Sequence, residues 1–240
     1  MDGNQPQPEP PREGALILAV DTCGPSGSVA LGRIEQGAAR LIGQIELEGR
    51  SYSATLIAAI GKLLENAKTE LRALAAIVVV NGPGSFTGVR VGLSAAKGLA
   101  ESAGLPLVAL SRLEVLAVKV GVVSAALDAH RHEVFLRVAE GTDARELLAG
   151  SEELAAIPAP KQIAVCDAAA AALLTTAWPD TEKASTAPPT AADALALGLV
   201  RMREGAWADV ALVDGHYLRR SDAEIFGDPA NAGARGGTRP

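Results

Sequence analysis

Two aspartates, Asp21 and Asp128, each close an apolar run and open a polar or glycine-rich turn. An acid at the end of a buried strand could stand beside a nucleotide's phosphates and their magnesium. It could equally stop the strand and accept hydrogen bonds from turn amides. The segment Gly82-Pro-Gly-Ser-Phe-Thr-Gly88 follows one apolar run and precedes a helical pattern, so its free amides could hold an anion. Its spacing fits none of the familiar loops. No Lys follows the last Gly, as a Walker loop needs, and the third Gly comes one residue late for a dinucleotide fingerprint. Ser85 lacks the Gly two places before it that a nucleophile elbow requires. His130 and His132 would lie on one side of a strand as a metal pair, but the sequence offers only one further histidine, His216. Cys23 and Cys166 form no metal or redox motif. No Ser-His-Asp or Cys-His spacing supplies a nucleophile. Arg219 and Arg220, after Tyr217-Leu218, make a small basic spot that could meet RNA or a partner.

The elements around these residues define an α/β chain. Continuous apolar runs at 15–20, 76–80 and 107–110 suit strands buried on both faces. Segments 28–31 and 41–47 read as further strands. Leu56, Ile60, Leu63 and Leu64 recur at helical spacing, so 53–67 is an amphipathic helix with Ser51 or Ser53 as its cap. A second helix covers 91–103, closed by Gly104, and is unusually small-sided at Gly92, Ser94, Ala95, Ala96, Gly98 and Ala100. The pattern of apolar run, aspartate, polar turn and returning strand then repeats: helix 113–121, strand 122–127, Asp128, and strand 133–138. This points to two halves of related fold. Beyond residue 140 the Ala-rich sequence is less informative, with a strand at 163–166 and a helix at 191–204.

Composition narrows the function. Of 240 residues 48% are apolar but only 3% aromatic, so the core must be built on close backbone approach. The net charge of -6 disfavours a polyanion at long range, and a role with nucleic acid would need a local patch or a partner's surface. No apolar stretch reaches the roughly 20 residues of a membrane helix, and a soluble cytoplasmic protein is expected. Residues 1–14 and 227–240 are expected to be disordered tails, flanking lobes at 15–111 and 112–226.

The strings Ile17-Leu-Ala-Val-Asp-Thr22, Ser28-Val-Ala-Leu31, Asn81-Gly-Pro-Gly-Ser-Phe-Thr-Gly-Val-Arg90, Ala95-Ala-Lys-Gly-Leu99, Ala126-Leu-Asp-Ala129, Glu133-Val-Phe135 and Tyr217-Leu-Arg219 together resemble the TsaB (YeaZ) family, over about residues 15–220. The resemblance implies a duplicated actin-like ATPase (ribonuclease H-like) fold with two lobes, the second reduced. It implies a non-catalytic scaffold that binds and activates the threonylcarbamoyltransferase TsaD, beside the ATPase TsaE, in forming threonylcarbamoyladenosine in tRNA. The His-x-x-x-His metal motif of the catalytic subunit is missing here, so ATP and a metal would act through partner subunits, with no cofactor for this chain. Contact with tRNA would be indirect, through the complex, and a homodimer is the alternative when the chain is alone. The resemblance places the partner interface on the two helices, at Leu56, Ile60, Phe86, Arg90, Leu93 and Lys97, and leaves Asp21 and Asp128 as nucleotide-proximal candidates. Tyr52 stands where the family often has His. The rival reading is a small actin-fold ATPase or kinase acting alone, for which Asp21 and Asp128 would hold magnesium and phosphate.

Overall fold

The structure, a computed structural model, describes residues 8–48, 51–140 and 143–219. Residues 1–7, 227–240 and Arg220 lie outside this range, and so do the expectations placed on them. The end of the expected N-terminal tail is tied to the fold. Gly14 N–H donates to the Ile34 carbonyl at 2.8 Å, and the Glu13 carboxylate accepts from the Gln36 amide at 2.6 Å.

Each half contains a five-stranded sheet, and the two sheets share one topology. In the first, β1 (Leu16–Asp21) pairs antiparallel with β2 (Ser26–Glu35), which pairs with β3 (Ala38–Glu48). On its other side β1 runs parallel to β4 (Ala76–Val80), and β4 to β5 (Leu107–Leu110). The second sheet repeats this order with β6 (Ala125–Asp128), β7 (Val134–Glu140), β8 (Asp143–Ala149), β9 (Gln162–Val165) and β10 (Glu182–Ser185). The central strands are apolar on both faces because both faces are covered. Ile17, Ala19, Val78 and Val80 look to one side, Leu18, Val20, Ile77 and Val79 to the other.

Helices α1 (Tyr52–Asn66) and α2 (Phe86–Ala103) cover the outer face of the first sheet. Helices α4 (Ser151–Ala156) and α5 (Ala168–Ala177) cover the outer face of the second. Between the sheets lie α3 (Arg112–Val120) and α6 (Ala191–Arg203), which touch each other. Helix α3 follows the first sheet yet packs on β6, β7 and β9. Helix α6 follows the second yet packs on all five strands of the first. Helix α6 and Ala208, read from sequence as part of the second lobe, therefore return to the first sheet. Gly198 makes this possible, since a side chain there would strike Val78.

Several boundaries differ from the sequence reading. Helix α2 begins at Phe86, not Val91, because Ser85 caps it and accepts from the Gly88 amide at 3.3 Å. Ser51 stands at the start of α1, but its hydroxyl donates back to the Glu48 carbonyl at 3.0 Å instead of capping. His130, Arg131 and His132 form no strand; all three have positive φ, near 60°. They make the tight β6–β7 turn, so the two imidazoles do not line one strand face.

Candidate functional site

Three features meet around the ends of β1 and β6: the two strand-end aspartates, the loop that launches α2, and a C-terminal strap at 206–219. Asp21 is buried, and its Oδ1 accepts the Cys23 amide at 2.8 Å. Asp128 does the same two residues on, accepting the His130 amide at 2.8 Å. Both aspartates thus act as turn acceptors. Their surroundings then diverge. Beside Asp21 lies the Arg112 guanidinium, with Nε 3.6 Å from Oδ2, and both side chains are at least nine-tenths buried. Asp128 instead faces the exposed ring of His130, with Nδ1 at 3.0 Å.

Arg112, the first residue of α3, is absent from the sequence candidates, yet it dominates this end of the first sheet. It packs so closely on Gly24 that any side chain there would collide with it. Burial, reinforced by the Asp21 charge, pushes the Cys23 thiol up and the Tyr52 phenol up to about 12, while Arg112 opposes both shifts. Cys23 and Tyr52 therefore stay neutral at physiological pH. The Tyr52 hydroxyl donates to the Gly24 carbonyl at 2.9 Å, and Cys23 Sγ donates to the Val80 carbonyl at 3.1 Å. A resident cation already sits beside the acid that a magnesium-bound phosphate would use, so Asp21 balances an internal charge. Among the described residues no group of three His, Cys, Asp or Glu side chains is arranged to hold a metal ion.

The loop before α2 is shaped by contact with β1. The Gly82–Pro83 peptide is cis, and Ser85 N–H donates to the Cys23 carbonyl at 2.8 Å. Gly88 and Gly92 let α2 press on the end of β1, where a side chain at either would hit Thr22, and the Thr22 hydroxyl donates to the Gly88 carbonyl at 2.7 Å. Part of the small-residue character of α2 is thus internal packing.

The predicted interface residues separate into two groups. Leu56, Ile60 and Leu93 are buried in the core between the helices and the first sheet, which corrects their placement on a partner surface. The resemblance, and not the helical spacing, carries Leu56 and Ile60 to a partner surface, and α1 has two apolar stripes. The outward one is Ala54, Ile57, Ala58 and Gly61, with Ile57 54% exposed. On α2, Phe86 and Arg90 are exposed, as are Ser94 and Gly98. Lys97 is only half-buried, and its ammonium is taken up by the strap carbonyls of Ala211 (3.2 Å) and Val213 (2.9 Å).

The strap crosses both halves. Ala208 N–H donates to the Leu107 carbonyl at 2.8 Å, and Asn81 Nδ2 donates to the Asp214 carbonyl at 3.0 Å. His216 Nε2 lies 2.8 Å from Glu146 on β8. Glu146 also accepts from Ser111 and from Arg137. Burial would raise this carboxyl, but the bonds from His216, Ser111 and Arg137 outweigh it and hold it below the usual range. Arg219 then pairs with Glu133 beside the β6–β7 turn.

This doubled sheet order, with its crossed helices, is matched by known proteins. The model of the family described as "TsaD: tRNA N6-adenosine threonylcarbamoyltransferase" covers residues 45–225. Proteins named tRNA threonylcarbamoyladenosine biosynthesis protein TsaB are 37% identical over 123 residues in Bacillus subtilis and 36% over 125 residues in Escherichia coli. The chain belongs to this family, on its TsaB (YeaZ) branch. Each alignment takes in 50% of this chain and 52% of the relative, so the chain spans about half the length of the curated relatives it matches. A solved structure described as an uncharacterized protein with similarity to peptidase YeaZ from Pseudomonas aeruginosa superposes with a TM-score of 0.70. It is 26% identical, over 85% of this chain and 100% of the other. YeaZ from the same organism superposes at 0.66 over the same shares, and at 24% identity it speaks for the fold alone. The fold is the duplicated actin-like α/β fold. No helix among the described residues is long and apolar enough to cross a membrane.

Proposed function

We propose that this chain is a non-catalytic subunit in the synthesis of threonylcarbamoyladenosine in tRNA, and that it binds and activates a TsaD-type transferase through the outer face of α1 and α2. The pathway follows from the names its relatives carry. The observation that carries the surface is a pair of helical glycines. Gly61 on α1 and Gly98 on α2 are exposed, and a Cβ at either would meet nothing within 4 Å. A glycine inside a helix costs about 0.5–1 kcal/mol relative to Ala. Gly88, Gly92 and Gly198 meet that cost with a close internal contact, whereas Gly61 and Gly98 have none among the described residues. Beside Ala54, Ile57, Ala58 and Ser94 they form a low surface on which another protein's helices could lie at short distance.

ATP and a metal act in this reading through TsaD and TsaE, with Asp21 paired inside this chain to the buried Arg112. The test is co-elution of the full chain with TsaD after Ala58→Arg and Gly98→Arg. Both positions are exposed, so folding should be preserved by circular dichroism while the complex is lost. Retention of the complex in both variants would refute this surface.

A further inference from the structure

The chain contains three Phe, two Tyr and two Trp, and its cores are almost wholly aliphatic. Two of these few rings nonetheless stand together at the surface, Phe86 at 41% exposure and Tyr217 at 36%. Their centroids are 5.1 Å apart with planes inclined at 44°. Arg90, one turn along α2 from Phe86, lays its guanidinium 3.9 Å from the Phe86 ring centroid. The ladder joins the start of α2 to the strap, segments about 130 residues apart in the chain. It is held firmly. Tyr217 folds over Gly215, where any side chain would collide with the phenol ring. His216 N–H donates to the Asn81 carbonyl at 2.7 Å, and Arg219 fixes the strap to Glu133 on the far side.

An exposed, pre-set stack of guanidinium and two rings adds little to a core. Its planar faces are the kind on which unpaired bases stack. We infer that the Arg90–Phe86–Tyr217 ladder stacks an unpaired nucleobase from a tRNA loop. The inference rests on the role in tRNA modification proposed above and assigns the surface of this chain that touches RNA. Charge favours stacking over phosphate binding as the source of affinity. The chain carries -6 overall, Arg219 is engaged by Glu133, and His130 by Asp128. Arg90, and Arg131 in the adjoining turn, have no ion pair among the described residues, so phosphate contacts should be few.

Fluorescence anisotropy of the full chain with a labelled anticodon stem-loop, a blunt duplex of the same stem, and AMP as competitor tests this. The stem-loop should bind in preference to the duplex, with log K falling against log salt at a slope of about -1, as for one or two phosphate contacts. Phe86→Ala and Tyr217→Ala should each weaken stem-loop binding roughly 5- to 150-fold, as loss of one stacked base predicts. Arg90→Lys, which keeps the charge and loses the plane, should weaken it too, and it decides the matter if an aromatic variant fails to fold. Competition by AMP supports the same base chemistry with a free nucleotide as its source. No stem-loop binding by the unaltered chain, equal affinity for the duplex, or unchanged affinity in folded variants would overturn the inference. Variants that keep RNA affinity but no longer co-elute with TsaD would also overturn it, making the ladder a protein contact. Lost RNA binding with intact co-elution separates this inference from the scaffold reading, which the Ala58 and Gly98 variants test alone.

Discussion

The two halves of the molecule use the same strand order and the same aspartate turn, yet only the first has made the aspartate part of its core. Asp21 and Asp128 each accept the amide two residues on at 2.8 Å. Around Asp21 the chain then adds Arg112, Cys23 and Tyr52, all buried. Around Asp128 it adds an exposed imidazole and an ion-pair distance of 3.0 Å at the surface. The outer helices differ in the same sense. Helices of 15 and 18 residues back the first sheet, whereas 6 and 10 residues back the second. Duplication thus preserves the local turn, because backbone hydrogen bonding demands it, while the charge beside it is free to change. The first half is built as a closed platform, with its cation inside and its spare surface on α1 and α2.

The largest test of this contrast is removal of the buried cation. Arg112→Leu should leave Asp21 buried and without its partner, at a cost of about 3–5 kcal/mol in denaturant unfolding. Asp21→Asn combined with Arg112→Leu should recover much of that loss, because neither charge then remains buried. Asp128→Asn keeps the turn acceptor and loses only a surface pair, so it should cost about 1 kcal/mol or less. Equal losses for Arg112→Leu and Asp128→Asn would show that the two aspartates are equivalent after all.

How much of this was legible in the sequence follows from which forces are local. The apolar runs 15–20 and 76–80, both aspartates, and the repeat itself could be read because strand burial and turn chemistry leave short-range patterns. The sequence pattern starts α2 five residues late, since Gly82–Gly88 reads as loop and the Ser85 cap leaves no periodic signal. Helix α1 is legible from its spacing, but the resemblance carries Leu56 and Ile60 to a partner surface, whereas the first sheet buries them. Arg112 carried no signal. Its partner Asp21 is far away in sequence, and the two meet only when the ends of β1 and β5 are brought into one sheet. The same holds for Glu146, whose partners Ser111, Arg137 and His216 come from three separate segments. The second lobe beyond 140 was opaque because short, Ala-rich elements carry little periodic contrast.

A smaller effect separates two glycines on one helix. Gly88→Ala drives a methyl into the Thr22 carbonyl where α2 meets β1, and should destabilise by about 1–3 kcal/mol. Gly98→Ala meets no atom and should stabilise by about 0.5–1 kcal/mol, as should Gly61→Ala. Thermal unfolding of the three variants would place the internal seam and the free face on opposite signs. A loss at Gly98 would mean that its helix is already packed within the chain, and the spare-surface argument would fail with it.

The last contrast is invisible at neutral pH. On β3 the acids Glu46 and Glu48 face solvent, whereas on the matching strand β8 Glu146 is 8% exposed and bonded to three side chains. Its carboxyl is held below the ordinary 4.5, so the folded state binds its proton less readily than the unfolded chain does. The stability this provides is fully present above about pH 4.5 and is lost as pH falls through the lowered value. Glu146→Gln should therefore flatten the acid limb of the stability profile below pH 4.5. Because Glu146 ties the strap to the second half through His216, the same acid range should loosen residues 206–219. Amide exchange at Ala208 and His216, whose N–H groups are bonded to Leu107 and Asn81, should accelerate there before the central strands open. Exchange at these two amides that tracks global unfolding would show that Glu146 stabilises the whole fold and not the strap.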